Sequence, residues 1–274
     1  MKSYVKHQIE HTFSAEFSSY VCDSGCSELH FHKNYEVIVV IRGECFCEVG
    51  GQEYTLTGGD AVFILPFQTH KFTVKNGGAV RCTTFHEHIN LTLSRTIDGN
   101  IPTPPVFRPS KNALDFHLTQ MDKLFGSDSG MLKRITPPAK RIQVKGTLYI
   151  LEGEFLEQTT LVHTQGEEAI TMTVVKHVSE NFRSDISLAD VAKATGYNYQ
   201  YLSRTFNQIL GINFKSLLNQ FRMEYAFCML QDTELPISEI AFDSGFQSIR
   251  TFNHVCKEIF GKSPKELRTE NRQL

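Results

Sequence analysis

ISLADVAKATGYNYQYLSRTFNQILG (186–211) and PISEIAFDSGFQSIRTFNHVCKEIFGKSPKELR (236–268) set out the same order of elements twice. Each opens on a short apolar-periodic helix that begins after Ser or Pro, breaks at a glycine (Gly196, Gly245) and continues into a longer helix. That layout is a helix-turn-helix, in which glycine relieves a left-handed backbone position and the second helix is offered outward. Two copies at nearly fixed spacing predict an all-α C-terminal domain with two such units.

The periodicity divides each unit into a core side and a polar side. In the first, Leu188, Val191 and Ala192 pack inward behind an N-capping Ser187, and Leu202, Phe206 and Ile209 follow at helical spacing. That turns Asn198, Tyr199, Gln200, Ser203, Arg204 and Asn207 outward. In the second, Pro236 starts a helix that buries Ile237, Ile240 and Ala241. Its partner helix buries Phe252, Val255, Cys256 and Ile259 and exposes Ser248, Arg250, Thr251, Asn253, His254 and Lys257. Arginine can hold guanine through O6 and N7, and Gln or Asn can hold adenine, so both outward faces carry base-reading chemistry. Between them NFKSLLNQFRMEYAFCMLQDT predicts one amphipathic rod of about 17 residues, roughly 25 Å long. Such a rod would hold two reading helices apart by a distance comparable to one DNA turn, about 34 Å.

Composition bounds the rest. The 274 residues, 41% hydrophobic and 21% charged, suffice for two ordinary globular domains. No apolar run approaches the roughly 20 residues that span a bilayer, and MKSYVKHQIEHTFSAEF lacks the order of a signal peptide, so the expectation is a cytoplasmic chain without a membrane partner. Net charge is −2, and residues 172–274 hold 12 Lys and Arg against 11 Asp and Glu. Nucleic-acid binding must therefore come from where the cations sit, because phosphates need a basic face and not a basic average.

Residues 1 to about 20 read as a partly ordered arm. From Val21 to His88 the pattern is β, with YEVIVVI (35–41), CFCEV (45–49), EYTL (53–56), AVFIL (61–65), HKFTV (70–74) and AVRCTTFH (79–86) separated by glycine turns. Short, evenly spaced strands predict a small barrel or jelly roll. Between Asn90 and about Pro109 a connector follows, with DGNIPTPPVFRP, whose prolines and glycine exclude a regular element. Two helices come next, one at 111–125 with Leu114, Leu118, Met121, Leu124 and Phe125 on one stripe, and one from about Pro138 to Gln158. They can bury each other or pair with a second copy of the chain. A further helix from about Glu167 to Asn181 leads into the last domain.

Two spacings in the β region resemble the cupin motifs. His30-x-His32-x3-Glu36-x6-Gly43 resembles the first, and Gly59-x6-Pro66-x3-His70 resembles the second. The resemblance implies that His30, His32, Glu36 and His70 converge inside the barrel, either on a divalent transition metal or as polar walls of an effector cavity. Strand alternation places His30 and His32 on one face, and three imidazoles with a carboxylate suit such a metal. An effector pocket is expected from His30, His32, Tyr35, Glu36, Phe46 and His70, with Phe31, Phe67 and Phe72 as further candidates. The seven cysteines are scattered through apolar segments, which suits buried reduced thiols. Cys45 with Cys47 and His86 with His88 could form a second zinc-type site, and Cys22/Cys26 or Cys45/Cys47 a redox sensor, but neither has a diagnostic spacing or a cue to a lowered thiol pKa.

The last hundred residues, through ATGYNYQYLSRTFNQILGINF and ISEIAFDSGFQSIRTFNHVCKEIFGKSPKELR, resemble the DNA-binding domain of the AraC/XylS transcriptional regulators. The whole chain resembles the form of that family with an N-terminal cupin-like sensor. The resemblance implies base contacts from Gln200, Ser203 and Arg204 and from Arg250, Asn253 and His254, with Asn207 on the same outward face. It implies phosphate contacts from Lys257, Lys262, Lys265 and Arg268. Cys256 departs from the family's usual Phe, and His254 from a longer polar or cationic side chain. The expected fold class is α+β: a cupin-like barrel over 1–106, a helical linker or dimerisation region over 107–166, and the double helix-turn-helix domain over 167–274. The implied function is a non-enzymatic transcription regulator governed by a small effector such as a sugar or related metabolite, with duplex DNA, RNA polymerase and a second copy as partners. The competing class is a metal-dependent cupin oxygenase or isomerase with a helical oligomerisation domain.

Overall fold

A computed structural model describes residues 6–7, 17–75, 77–86, 89–127, 133–134, 138–163 and 166–270. Most of the expected N-terminal arm, residues 1–5 and 8–16, lies outside these, as does His88. The chain divides into two compact units, one of residues 15–169 and the other of residues 170–274 together with the N-terminal 1–14.

The strands run in chain order as β1 (Lys6–His7), β2 (Phe17–Cys22), β3 (Gly25–Cys26), β4 (His30–Phe31), β5 (Tyr35–Arg42), β6 (Glu44–Val49), β7 (Gln52–Thr57), β8 (Ala61–Ile64), β9 (His70–Val74) and β10 (Ala79–Phe85). After α1 (Leu91–Ile97) come β11 (Asn100–Thr103), β12 (Val106–Phe107), α2 (Lys111–Phe125), β13 (Lys133–Arg134), α3 (Pro138–Gln158) and β14 (Thr160–His163). One antiparallel sheet has the order β4-β9-β6-β7 with β3 also on β9, and the other has the order β12-β8-β5-β10-β2-β13. Their inner faces share one core, in which Ile38, Val40, Val62, Ile64, Val80 and Cys82 meet Cys45, Cys47, Val49, Leu56, Phe72 and Val74. This is the double-sheeted jelly roll that the strand spacing predicts.

Two expectations need correction. Phe17–Cys22 is a strand and not an arm: it pairs along its whole length with β10, from Phe17 opposite Phe85 to Cys22 opposite Val80. Its serines hide the strand from a hydrophobicity reading, but Ser19 Oγ bonds the Cys82 carbonyl at 2.9 Å and Ser18 bonds Thr84, so both are buried and satisfied. The Pro-rich connector also holds regular structure. Asn90 caps α1 by accepting from the Thr92 and Leu93 amides. Beyond it, β11 pairs with β14 alone and β12 ends a sheet, the peripheral places where proline is tolerated.

Helices α2 and α3 pack on each other and on the outer face of the second sheet. Phe155 of α3 stacks on Phe63 of β8 at 4.8 Å, and Phe63 and Phe85 both pack against Tyr35. The buried line of α2 is Ala113, His117, Met121 and Phe125, while Leu114, Leu118 and Leu124 are half-buried. The fully buried Arg81 of β10 is anchored by Asp122 and by the Gly126 carbonyl at the end of α2. Glu152 of α3 is buried at 2% exposure with one oxygen bonded by Asn90 and the other without a partner. Burial pushes its carboxyl up to about 7.

The second unit holds α4 (Glu167–Asn181), α5 (Leu188–Thr195), α6 (Tyr199–Leu210), α7 (Phe214–Asp232), α8 (Ile237–Asp243), α9 (Ile249–Phe260) and α10 (Pro264–Glu270). Ser187 and Asp190 form a reciprocal capping box at the start of α5. The 19 residues of α7 are buried on two sides. Leu217, Leu218 and Phe221 are buried in its first half, and α6 packs on it. Met223, Ala226 and Leu230 join Ile240, Ala241, Phe246, Phe252, Val255, Cys256 and Leu267 in the core of the second helix-turn-helix. Arg222 of α7 reaches the Phe182 and Ser184 carbonyls, at 2.8 and 2.9 Å, and so holds the end of α4. Gly245 sits against that same segment: at φ +88° an added Cβ would lie 2.7 Å from the Arg183 carbonyl oxygen.

Two stability tests follow from these contacts. Gly245→Ala meets both an unfavourable φ and immovable backbone and is expected to cost roughly 2–4 kcal/mol. Gly196→Ala, at φ +75° with nothing within 4 Å, is expected to cost about 1–2 kcal/mol, so equal shifts in urea midpoint for the two variants would contradict the close approach. For Glu152, the native carboxyl binds its proton more tightly than the unfolded one, so its contribution is full below pH 4.5 and is lost as pH rises through about 7. Glu152→Gln should therefore stabilise the chain at pH 8, by about 3 kcal/mol at most, and leave it little changed at pH 4.5. An unchanged pH slope in urea unfolding would refute it.

Candidate functional site

The second helices of the two helix-turn-helix units share one register. Helices α6 and α9 each have 12 residues, each starts on a side-chain cap (Asn198 to the Tyr201 amide, Ser248 to the Thr251 amide), and each ends on a left-handed glycine, Gly211 or Gly261. Counting from the caps makes Gln200 equivalent to Arg250, Ser203 to Asn253, Arg204 to His254 and Asn207 to Lys257. Of these, Gln200, Arg204, Asn207, Arg250, Asn253, His254 and Lys257 are exposed and Ser203 is half-exposed. The Arg204 guanidinium lies 5.9 Å from the Tyr201 ring, and the Asn207 amide turns back to the Ser203 carbonyl at 2.9 Å. Opposite these faces, Leu202 of α6 and Phe252, Val255 and Cys256 of α9 are buried.

Lys262 and Lys265 are exposed near the start of α10, where Ser263 and Glu266 form a reciprocal cap. Arg268 departs from expectation. Its Nη2 donates to the Leu235 carbonyl at 2.7 Å and its Nε is buried, so it clamps α10 to the segment before α8 in place of offering its charge outward.

In the jelly roll, alternation sorts the expected pocket residues onto different faces. Glu36 points inward, from a row in which Ser18, Thr84, Glu36 and Ile64 stand side by side on β2, β10, β5 and β8. His30 and His70 pair across β4 and β9 of the opposite sheet. Together with His32 these residues are all buried, and their donor atoms lie within 4.8 Å of one another. Tyr35 and Phe46 do not join them. Tyr35 neighbours Glu36 and so faces the helix layer, stacked on Phe85. Phe46 lies between the inward Cys45 and Cys47 and is 42% exposed, with the Lys75 ammonium 4.3 Å above its ring. Tyr35 and Phe46 therefore lie apart from the buried cluster of His30, His32, Glu36 and His70. Among the further candidates Phe72 belongs to the inner apolar core.

Each histidine turns Nδ1 to a backbone carbonyl two residues away: Glu28 for His30 at 2.8 Å, Asn34 for His32 and Gln68 for His70, both at 2.9 Å. A carbonyl only accepts, so Nδ1 carries the hydrogen. Nε2 of His32 and of His70 meets the same Glu36 oxygen, at 3.2 and 3.1 Å. Burial lowers His32 and takes His30 down to about 2. Burial alone would raise Glu36, yet the His32 and His70 imidazoles hold it well below the usual carboxylate range. An imidazole that carries its hydrogen at Nδ1 turns Nε2 toward a carboxylate either as an imidazolium or with a cation between the two groups. Three imidazoles oriented through carbonyl bonds, with one carboxylate, are a donor set that fits a divalent transition metal. Such an ion would supply that charge and a Lewis-acidic centre.

The cysteines carry no comparable chemistry. Cys45 and Cys47 face the core, and burial pushes both thiols up, Cys45 to about 11. A raised pKa speaks against the pair as a low-pKa redox couple, and His88 of the zinc-type alternative lies outside the described residues.

The fold is therefore that of a DNA-binding regulator: a helical domain with two matched reading helices, preceded by a jelly roll with a polar interior cluster. Residues 21–115 match the AraC-like ligand binding domain and residues 169–270 match the helix-turn-helix domain of that type, and the chain belongs to the AraC-type regulators. An HTH-type transcriptional regulator of Staphylococcus aureus is 33% identical over 106 residues, 36% of this chain and 14% of the relative. The Msm operon regulatory protein of Streptococcus mutans is 26% identical over 161 residues, 56% of this chain and 58% of its own length. This chain thus spans about a seventh of the first relative's length and under two thirds of the second's. Among solved structures, a lysine-to-alanine variant of apo ToxT from Vibrio cholerae shares the fold at 16% identity and TM-score 0.52, covering 94% of this chain and 98% of that one. No helix among the described residues is long and apolar enough to cross a membrane.

Proposed function

We propose that this protein is a cytoplasmic, sequence-specific DNA-binding transcription regulator, without enzymatic activity, whose jelly roll takes a small effector and holds a divalent transition metal at His30, His32, Glu36 and His70. The observation that carries the DNA reading is the register of α6 and α9: equivalent positions in both present polar side chains while the opposite faces are buried. Gln200, Ser203 and Arg204 read bases in one groove segment and Arg250, Asn253 and His254 in the other, with Lys257, Lys262 and Lys265 on phosphates. RNA polymerase is the partner that regulation requires. A second copy is the proposed partner of the exposed apolar positions Phe116, Ile142 and Ile150 on α2 and α3.

The metal proposal rests on geometry: three imidazoles each turn Nδ1 to a backbone carbonyl, and the donor atoms of His30, His32, Glu36 and His70 all lie within 4.8 Å of one another. A metal-dependent enzyme would use the same donor set, but the domain matches favour a regulator.

Arg204→Ala is expected to weaken binding to a duplex selected by the wild-type chain by about 1–3 kcal/mol, and wild-type affinity should fall steeply with salt. Unchanged affinity in the variant, or a flat salt response, would overturn the groove assignment. For the metal, elemental analysis after supplementation should find close to one equivalent per chain, and none in a His70→Ala, Glu36→Gln double variant. An empty wild-type protein would refute the site.

A further inference from the structure

Among the described residues of the helical unit three large apolar side chains are conspicuously exposed: Tyr199 at 49%, Ile249 at 39% and Phe242 at 55%. Phe242 lies on α8, the first helix of its helix-turn-helix. Tyr199 and Ile249 occupy the same place in the two reading helices, the first residue after the N-cap of α6 and of α9. Neither core needs them, since the buried residues of α9 begin at Phe252 and the equivalent Leu202 is fully buried in α6. An isolated exposed apolar residue needs no explanation, but two at equivalent positions, each next to a polar side chain of the reading face (Gln200, Arg250), share a cause. The N-terminal residues of a recognition helix are the ones that reach base edges. The apolar feature there is the thymine 5-methyl group, which alone in the major groove offers a hydrophobic contact.

Resting on the DNA-binding reading above, we propose that Tyr199 and Ile249 are specificity-determining residues, each selecting thymine by packing on its methyl group, one in each groove segment. Gln200 and Arg250 beside them then read neighbouring base edges by hydrogen bonding. The preferred site accordingly carries a thymine at the equivalent place of both segments, although the other paired reading residues differ.

The test uses the full chain and a duplex that it selects from a random pool. Replacing single thymines by deoxyuridine removes only the methyl. Wild-type affinity should fall about fourfold, the worth of one buried methyl-sized group, at one thymine in each segment. Ile249→Ala should abolish the loss in one segment and leave the other, Tyr199→Ala should do the reverse, and Ile249→Val should keep most of the wild-type dependence. A selected duplex with no methyl dependence, or dependence that persists in both alanine variants, overturns the thymine assignment while leaving DNA binding intact. Failure to select any sequence overturns the DNA-binding reading itself, and this inference with it.

Discussion

The helical unit depends on α7 being buried on two sides. A helix with one apolar stripe docks to one neighbour, but α7 contributes to a core near each end, with α6 on it at the start and α8, α9 and α10 on it further along. Arg222 then fixes the rod to the end of α4 through two backbone carbonyls, and Gly245 lets the turn of the second unit approach that same segment. The consequence is that neither helix-turn-helix is an independent module: each is completed by the shared rod. Rigid attachment matters for reading DNA because side chains such as Arg204 and Asn253 gain specificity only when their helix is held in a fixed position.

The jelly roll obeys a different constraint, the alternation of side chains along strands that are buried on both faces. On β5 the inner series begins with Glu36 and continues with the apolar Ile38 and Val40, while the outer series begins with Tyr35 and supports the helix layer. A polar cluster at one end of an otherwise apolar interior concentrates three buried imidazoles and a carboxylate into one small volume. The carbonyls of Glu28, Asn34 and Gln68 set the three ring orientations, which is how an outer shell commonly prepares ligands for a metal.

Much of this was legible in the residues. The glycine-punctuated repeat marks both helix-turn-helix units, and the helices Pro138–Gln158 and Glu167–Asn181 fall where apolar spacing puts them. The cluster of His30, His32, Glu36 and His70 is the one that the resemblance to the cupin motifs implies, and the pairing of His30 with His70 across β4 and β9 helps to bring it together. The misses have physical causes. Strand β2 is held by a long-range ladder and by hydroxyl bonds, neither of which a hydrophobic pattern records. Alternation offers Tyr35 and Phe46 as pocket residues, but Tyr35 neighbours the inward Glu36 and Phe46 lies between the inward Cys45 and Cys47, so both face away from the cluster. Arg268 looks like a free cation in sequence, and only the Leu235 carbonyl beside it shows that its guanidinium holds two helices together.

A hydroxyl-radical footprint of the full chain on its selected duplex probes the shared-rod arrangement most directly, with the protein-to-DNA stoichiometry measured alongside. One chain per duplex should protect two tracts on one face of the helix, about one turn apart. Substituting Arg204 should clear one tract and substituting Asn253 the other. A single protected tract per chain, or two that appear only when two chains are bound, would contradict a rod that delivers both reading helices to the same duplex.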